Sequence, residues 1–346
     1  MANVNVATTL GSIPADELGI VMTHEHVFSC LEASFSQADD DPVGVMAAAP
    51  VAPQLQWWLR CHPMNNRDNL VLESLETAVS EVMTLKLAGG DTLVDVTTVG
   101  LAPNPTLLAE VSRRTRVHII AATGYYTASS YSPSVGKLSV EALADQMRRD
   151  LVEGFAGTEI RAGIIGELGV SSSPAPAEQR VLVAAAKVQR ELGCAISIHP
   201  AWGPDGARLT AQLVEEAGID PARTVLSHLD NRFRDDVQAF RELAIRGFRL
   251  GLDCFGKECY YPHVNQQLPS DADRIRAVLG LLDAGFEKQI LLSQDICAKH
   301  QLTANGGQGY AHVLRGIRPR LLRGGIKDAT LHRILVDNPR ALLAGT

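Results

Sequence analysis

No stretch of about 18 uninterrupted apolar residues runs through the chain, so no membrane-spanning helix is expected. Residues 1–14 lack the basic segment followed by an apolar one that marks a secretory leader. There are no basic runs and no aromatics interleaved with Lys and Arg, and 39 acidic residues outweigh 32 basic ones for a net charge of −7. Nucleic acid is therefore not an expected partner, because phosphate backbones are bound by clustered cations. The six cysteines (Cys30, Cys61, Cys194, Cys254, Cys259, Cys297) form no CxxC pair and no zinc-ribbon spacing. They read as free thiols, several of them small buried hydrophobes, in a reducing compartment. The expectation is a cytoplasmic protein acting on a small molecule, with no membrane contact. No GxGxxG follows the first apolar run, which weakens a dinucleotide-binding reading. No Ser/Gly/Pro-rich linker divides the 346 residues, so residues 1–346 read as a single domain.

What is present is an alternation. Apolar runs at residues 19–23, 92–96, 117–121, 162–165, 195–198, 224–226, 248–252 and 289–293 read as strands. Amphipathic segments at 73–87, 106–114, 140–152, 177–192, 207–217, 235–245 and 271–284 read as helices between them, with Gly193, Gly218, Gly247 and Gly285 near their C-terminal stops. Eight β/α units predict an α/β fold, a (β/α)8 TIM barrel more than an open doubly wound sheet, with a last helix at 328–343 on its outside. Residues 28–66, with Asp39-Asp40-Asp41-Pro42 and Trp57-Trp58, are an insertion after strand 1. Its place on the C-terminal face leaves two readings open, a roof over the pocket or an extra packed segment on the rim.

His24-Glu25-His26 follows the first apolar run. Successive side chains of a strand point to opposite faces, so His24 and His26 share one face and Glu25 turns away. Glu167, His199, His228 and Asp295 each end another predicted strand, which is where barrel enzymes keep reactive groups. Singly, each has an ordinary explanation: a hydrogen-bonded imidazole, or an Asp capping the next helix. Together, four imidazoles and two carboxylates at one mouth make a ligand set for two divalent ions, with a bridging carboxylate and a water held between them. The remaining histidines (His62, His118, His263, His300, His312, His332) have no such placement and read as structural or surface residues.

With these motifs stand Thr9-Leu10-Gly11-Ser12-Ile13-Pro14, Gly163-Ile164-Ile165-Gly166-Glu167-Leu168-Gly169, Ser227-His228-Leu229-Asp230, Phe255-Gly256-Lys257-Glu258, Gly306-Gly307-Gln308-Gly309-Tyr310 and Asp337-Asn338-Pro339. On them the chain resembles the phosphotriesterase family of the amidohydrolase superfamily over nearly its whole length, and within it the phosphotriesterase-related branch, whose animal members are N-acetyltaurine amidohydrolases. The resemblance implies His24, His26 and Asp295 as ligands of a buried metal, His199 and His228 as ligands of an outer one, and Glu167 as the bridge where true phosphotriesterases carry a carboxylated lysine. It implies two divalent ions, zinc first, with manganese, cobalt or iron as alternatives, and a homodimer. Tyr126 matches a pocket tyrosine of related lactonases, with a core aromatic as the competing reading. Gln294 replaces a histidine common in close relatives, and alternation turns it away from Asp295's face, so only an effect on packing is expected.

The activity so implied is hydrolysis of a small amide, an N-acyl amino acid or amino sulfonate, by hydroxide held between the metals, with Asp295 as catalytic proton shuttle. An anionic substrate tail calls for cations, and Arg232, Lys257 and Lys299 follow strands 6, 7 and 8, each with a solvated loop charge as the alternative. The competing functions are a sugar or sugar-phosphate lactonase, with promiscuous phosphotriester hydrolysis accompanying either, and a binding protein without catalysis.

Overall fold

Alternate residues of each strand enter two different cores, and this explains why the apolar runs are nearly continuous. Met22, Leu93, Ile119, Ile165, Leu226, Leu250 and Leu292 pack outward against helices. Their neighbours Val21, Val94, Ile120, Ile164, Val225 and Leu291 pack inward on one another. A parallel strand walled by helices outside and filled inside must be apolar on both faces. The computed structural model describes residues 4–41 and 43–345, with His263 described by its backbone alone.

The eight predicted strands all form: β1 (Val21–Glu25), β2 (Thr92–Asp95), β3 (His118–Thr123), β4 (Ile164–Gly169), β5 (Ile196–His199), β6 (Thr224–Leu226), β7 (Arg249–Leu252) and β8 (Ile290–Leu292). They lie side by side in chain order, every neighbouring pair parallel. The chain leaving β8 returns to β1, where Asp295 N donates to His24 O at 3.2 Å and His26 N to Ile296 O at 3.0 Å. The result is the (β/α)8 barrel. Helices α1 (Leu75–Leu87), α2 (Pro105–Thr115), α3 (Val140–Val152), α4 (Pro176–Leu192), α5 (Gly203–Glu216), α6 (Val237–Ile245) and α7 (Asp271–Asp283) follow β1 to β7. Ser74, Asn104, Ser139 and Ser270 cap four of them by accepting from backbone N–H groups of the first turn, satisfying donors that a helix start leaves free.

Three features differ from expectation. A hairpin of Asn5–Thr8 and Gly11–Pro14 precedes the barrel, and Val6 and Leu18 plug its N-terminal end together with Leu342 and Leu343. The predicted helix at 328–343 is three pieces, Asp328–His332, a widened π turn Arg333–Asp337 and Asn338–Ala344. Pro339, lacking an N–H, cannot continue the regular ladder behind it. The insertion builds a satellite core of Ala38, Trp58 and Leu59, yet its Leu31, Ser34 and Met64 also line the cavity at the barrel mouth. It therefore serves both as packed segment and as one wall. Among the described residues no helix is long and apolar enough to cross a membrane.

Candidate metal centre

All six candidate donors meet at the C-terminal mouth. Glu167 is central: its Oε1 lies 3.4 Å from His26 Nε2, and its Oε2 lies 3.5 Å from His24 Nε2, 3.0 Å from His199 Nδ1 and 3.3 Å from His228 Nε2. Asp295 Oδ1 stands 3.4 Å from His26 Nε2 and 3.7 Å from His24 Nε2. Two groups of three, His24–His26–Glu167 and Glu167–His199–His228, each have donor atoms within 4.8 Å of one another, and Glu167 belongs to both. A third grouping takes in His24, His228 and Asp295.

The residues fit divalent cations. His24 Nε2 is buried without a hydrogen-bond partner, an omission that costs about 1–3 kcal/mol unless something else satisfies the lone pair. Its other nitrogen faces Ser227 Oγ at 3.1 Å, His26 Nδ1 faces Thr97 Oγ1 at 2.9 Å, and His228 Nδ1 faces Asp253 Oδ1 at 2.8 Å. Such partners fix the tautomer and leave Nε2 as the ligand atom. The electrostatics agree. Burial alone would lower His26 and His228, but Asp295 and Glu167 around His26, and Asp253, Cys254 and Asp295 around His228, raise both well above the usual imidazole range. Burial lowers His24, and it brings His199 down to about 4. Burial would raise Glu167 and Asp295, yet the histidines around Glu167, and Lys257 and His228 beside Asp295, hold both carboxyls below their ordinary range. The two carboxylates call for positive charge at this spot.

The acids behind the donors are what the sequence reading missed. Asp253 accepts from His228 N at 2.8 Å as well as facing its ring, and His228 has φ 56°, a left-handed value uncommon for any residue but glycine. Asp95 accepts from Val27 N at 2.7 Å and Thr97 N at 3.1 Å, holding the Thr97 that faces His26. Glu25, turned from the cavity as alternation requires, is wholly buried among donors from the end of strand 8. Burial pushes it up to about 7 against the pull of those donors. Because every partner donates, the pocket is built for the carboxylate. Asp95 and Asp253 carry the same signal that marks Glu167 and Asp295, an acid closing an apolar run.

Above the donors lies a cavity of about 120 Å³ whose walls include Tyr126, Trp202, Arg232, Lys257, Tyr261 and Cys297. Tyr126 Oη is 3.3 Å from both ring nitrogens of His199, and burial with nearby Glu167 raises its phenol well above its ordinary value. Arg232 is buried, donates from Nε to Ala201 O at 3.0 Å and from Nη2 to Pro200 O at 2.9 Å, and lies 4.1 Å over the Trp202 ring. Lys257 pairs with Asp295 Oδ2 and lies 3.4 Å from Cys297 Sγ. Lys299 is a correction: it pairs with Asp68 at 2.5 Å and does not line this cavity. Gln294 turns away as expected, its amide donating to Glu25 at 2.7 Å and accepting from Val313 N at 2.8 Å. Of the other histidines, His62 pairs with Asp40 and His312 with Asp271, and the side chain of His263 lies outside the described residues. All six cysteines are free thiols.

A parallel eight-stranded barrel with four imidazoles and two carboxylates converging at its C-terminal mouth defines a metal-dependent hydrolase. Known proteins narrow the class. An N-acetyltaurine hydrolase of Salmo salar is 38% identical over 342 residues, 98% of this chain and 97% of the relative. The crystal structure of a resiniferatoxin-binding protein from Rhodobacter sphaeroides superposes with a TM-score of 0.95 at 36% identity, covering 99% of this chain and 95% of that one. A mutant of a PTE-like lactonase from Deinococcus radiodurans gives a TM-score of 0.76 at 28% identity, covering 98% and 99%. The model of the phosphotriesterase family matches residues 4–343, and the chain belongs to that family.

Proposed function

We propose that the protein hydrolyses the amide bond of a small anionic N-acyl compound, an N-acyl amino sulfonate such as N-acetyltaurine or an N-acyl amino acid, at a centre of two divalent ions, zinc in the first instance. One observation carries the reading: two donor groups joined through Glu167 lie beneath a small cavity with a buried guanidinium in its wall. The name of the Salmo salar relative supports the substrate class. His24, His26, Glu167 and Asp295 would hold one ion, and Glu167, His199 and His228 the other.

Two ions held there would bring the pKa of a water toward about 7 and would polarise a carbonyl. Asp295 would take up a proton from the attacking water and return it to the leaving nitrogen, a transfer an amine needs because it departs poorly unless protonated. The Lys257 ammonium beside Asp295 holds its carboxyl below the ordinary range, so that it is ionised. Tyr126 stays a phenol across the neutral range and donates toward the carbonyl oxygen as negative charge develops there. Arg232, with two donors already spent on backbone carbonyls, offers the remainder of its fork to a sulfonate or carboxylate.

A panel of N-acetyltaurine, N-acyl amino acids, γ- and δ-lactones, sugar-phosphate lactones and paraoxon, compared by kcat/KM, tests the reading. Amides should lead. Lactones ahead of every amide by orders of magnitude would overturn it in favour of the lactonase reading, which the Deinococcus likeness favours. Binding without turnover across the whole panel, by metal-loaded protein, would favour the non-catalytic reading, in keeping with the name of the Rhodobacter protein.

A further inference from the structure

We infer that Glu25, which does not line the cavity, is a positioning residue for Asp295: its carboxylate ties down the chain on both sides of that aspartate and so sets where the aspartate's side chain stands. Glu25 Oε1 accepts from Ser293 Oγ at 2.6 Å, Gln294 N at 2.8 Å and Gln294 Nε2 at 2.7 Å, and its Oε2 accepts from Ile296 N at 2.9 Å. Between those two anchored peptides Asp295 adopts φ 50°, a left-handed conformation that few residues other than glycine, asparagine and aspartate adopt. Asp295 N in turn donates to His24 O, so three successive N–H groups are captured by two adjacent residues of β1.

The period-two alternation of a strand makes this economical. The strand that sends His24 and His26 into the site sends Glu25 the other way, into the backbone that carries the third donor. A glutamine at this position keeps one acceptor oxygen but turns an NH2 toward the Ile296 N–H or toward the three donors on the other side. An aspartate, one carbon shorter, keeps the charge but loses reach.

The inference rests on the metal centre proposed above and not on its substrate, so its test reads zinc affinity. Zinc binding by the full chain is measured against a chromogenic chelator for the wild type, Glu25→Gln, Asp295→Ala and the double variant, with the melting temperature of each metal-free form recorded. Glu25→Gln should weaken zinc binding about tenfold or more. In the Asp295→Ala background the same change should add less than about twofold, because the residue it positions is gone. An equal factor in both backgrounds would overturn the inference, since Glu25 would then act through His24 and His26 or through stability at large. No change in either background would overturn it as well. If Glu25→Gln does not fold, Glu25→Asp takes its place in the same cycle, with a smaller loss that again vanishes without Asp295. A lactone preference in the substrate panel leaves this cycle untouched, whereas a wild-type chain that binds no zinc removes the centre and the inference together.

Discussion

Asp295 is asked to do more than any other side chain: it stands with His24 and His26, pairs with Lys257 and takes a left-handed backbone. Besides the negative charge it brings to the donor set and to Lys257, its carboxylate offers reversible protonation, which an amide cannot copy. Asp295→Asn should therefore cut kcat/KM for an N-acyl substrate by about a hundred- to ten-thousandfold. An activated aryl ester, whose leaving group departs as an anion, should lose far less; equal losses in parallel assays would refute the shuttle. All six donors were legible as residues because each closes an apolar run, a signal local to its own strand. For Lys299 the sequence left a pocket cation and a loop charge equally open, and only the fold, by bringing Asp68 to it, decides for the second. Arg232, by contrast, does line the cavity, held there by carbonyl partners of the loop after strand 5. Which cation of a loop faces inward is decided by partners that periodicity cannot see.

At the scale of elements, β4 has to pass close to β5 for Glu167 to reach all four histidines. Gly166 permits it: φ is 95°, and a Cβ there would stand 2.0 Å from Ser197 O. Gly166→Ala should cost more than about 2 kcal/mol and lower both the melting temperature and the zinc content. Gly193→Ala, where a Cβ meets nothing within 4 Å, should cost only about 1 kcal/mol despite its positive φ. Matching melting temperatures for the two variants would contradict this. The insertion and the residues just after it are fastened by another element, the turn Lys299–Gln301. His300 N donates to Asn69 Oδ1 at 2.8 Å, its Nδ1 faces the same oxygen at 3.0 Å, and Gln56 donates to His300 O at 2.6 Å. Burial, with Lys257 and Arg60 adding to it, brings His300 down to about 3. The folded chain thus prefers the neutral ring, and the unfolded chain binds the proton first as pH falls below about 6.5. Stability contributed here is present at neutral pH and drains between about 6.5 and 3. In metal-free protein, the melting-temperature advantage of wild type over His300→Gln should shrink between pH 7 and pH 4; a constant gap would count against it. None of this latch was readable beforehand, because its partners lie 231 residues apart.

For the whole molecule, the strands and helices were legible because continuous apolar runs alternate with segments of 3.6-residue period, and the cores they build are apolar on their own account. The N-terminal hairpin was not, since four-residue strands around a Gly11 turn carry too few residues for a period to register. That apolar construction bears on the metal. The inner cluster of Val21, Val94, Ile120 and Leu291 is plugged from below by Val6 and Leu342, while the donors occupy only the opposite, polar mouth. The barrel should then fold without ions, unlike small zinc domains whose metal stands in for a core. Stripping with a chelator should leave the far-ultraviolet circular dichroism intact and lower the melting temperature, because ions bind the native state alone; at a free concentration of 100 Kd that linkage is worth about 2.7 kcal/mol per site. Adding zinc back should restore melting temperature and turnover together, and only at two equivalents per chain, since Glu167 shared between the two groups makes a half-filled centre incomplete. Full recovery at one equivalent would reduce the centre to a single ion, and collapse of the dichroism on chelation would show that the cores do not suffice.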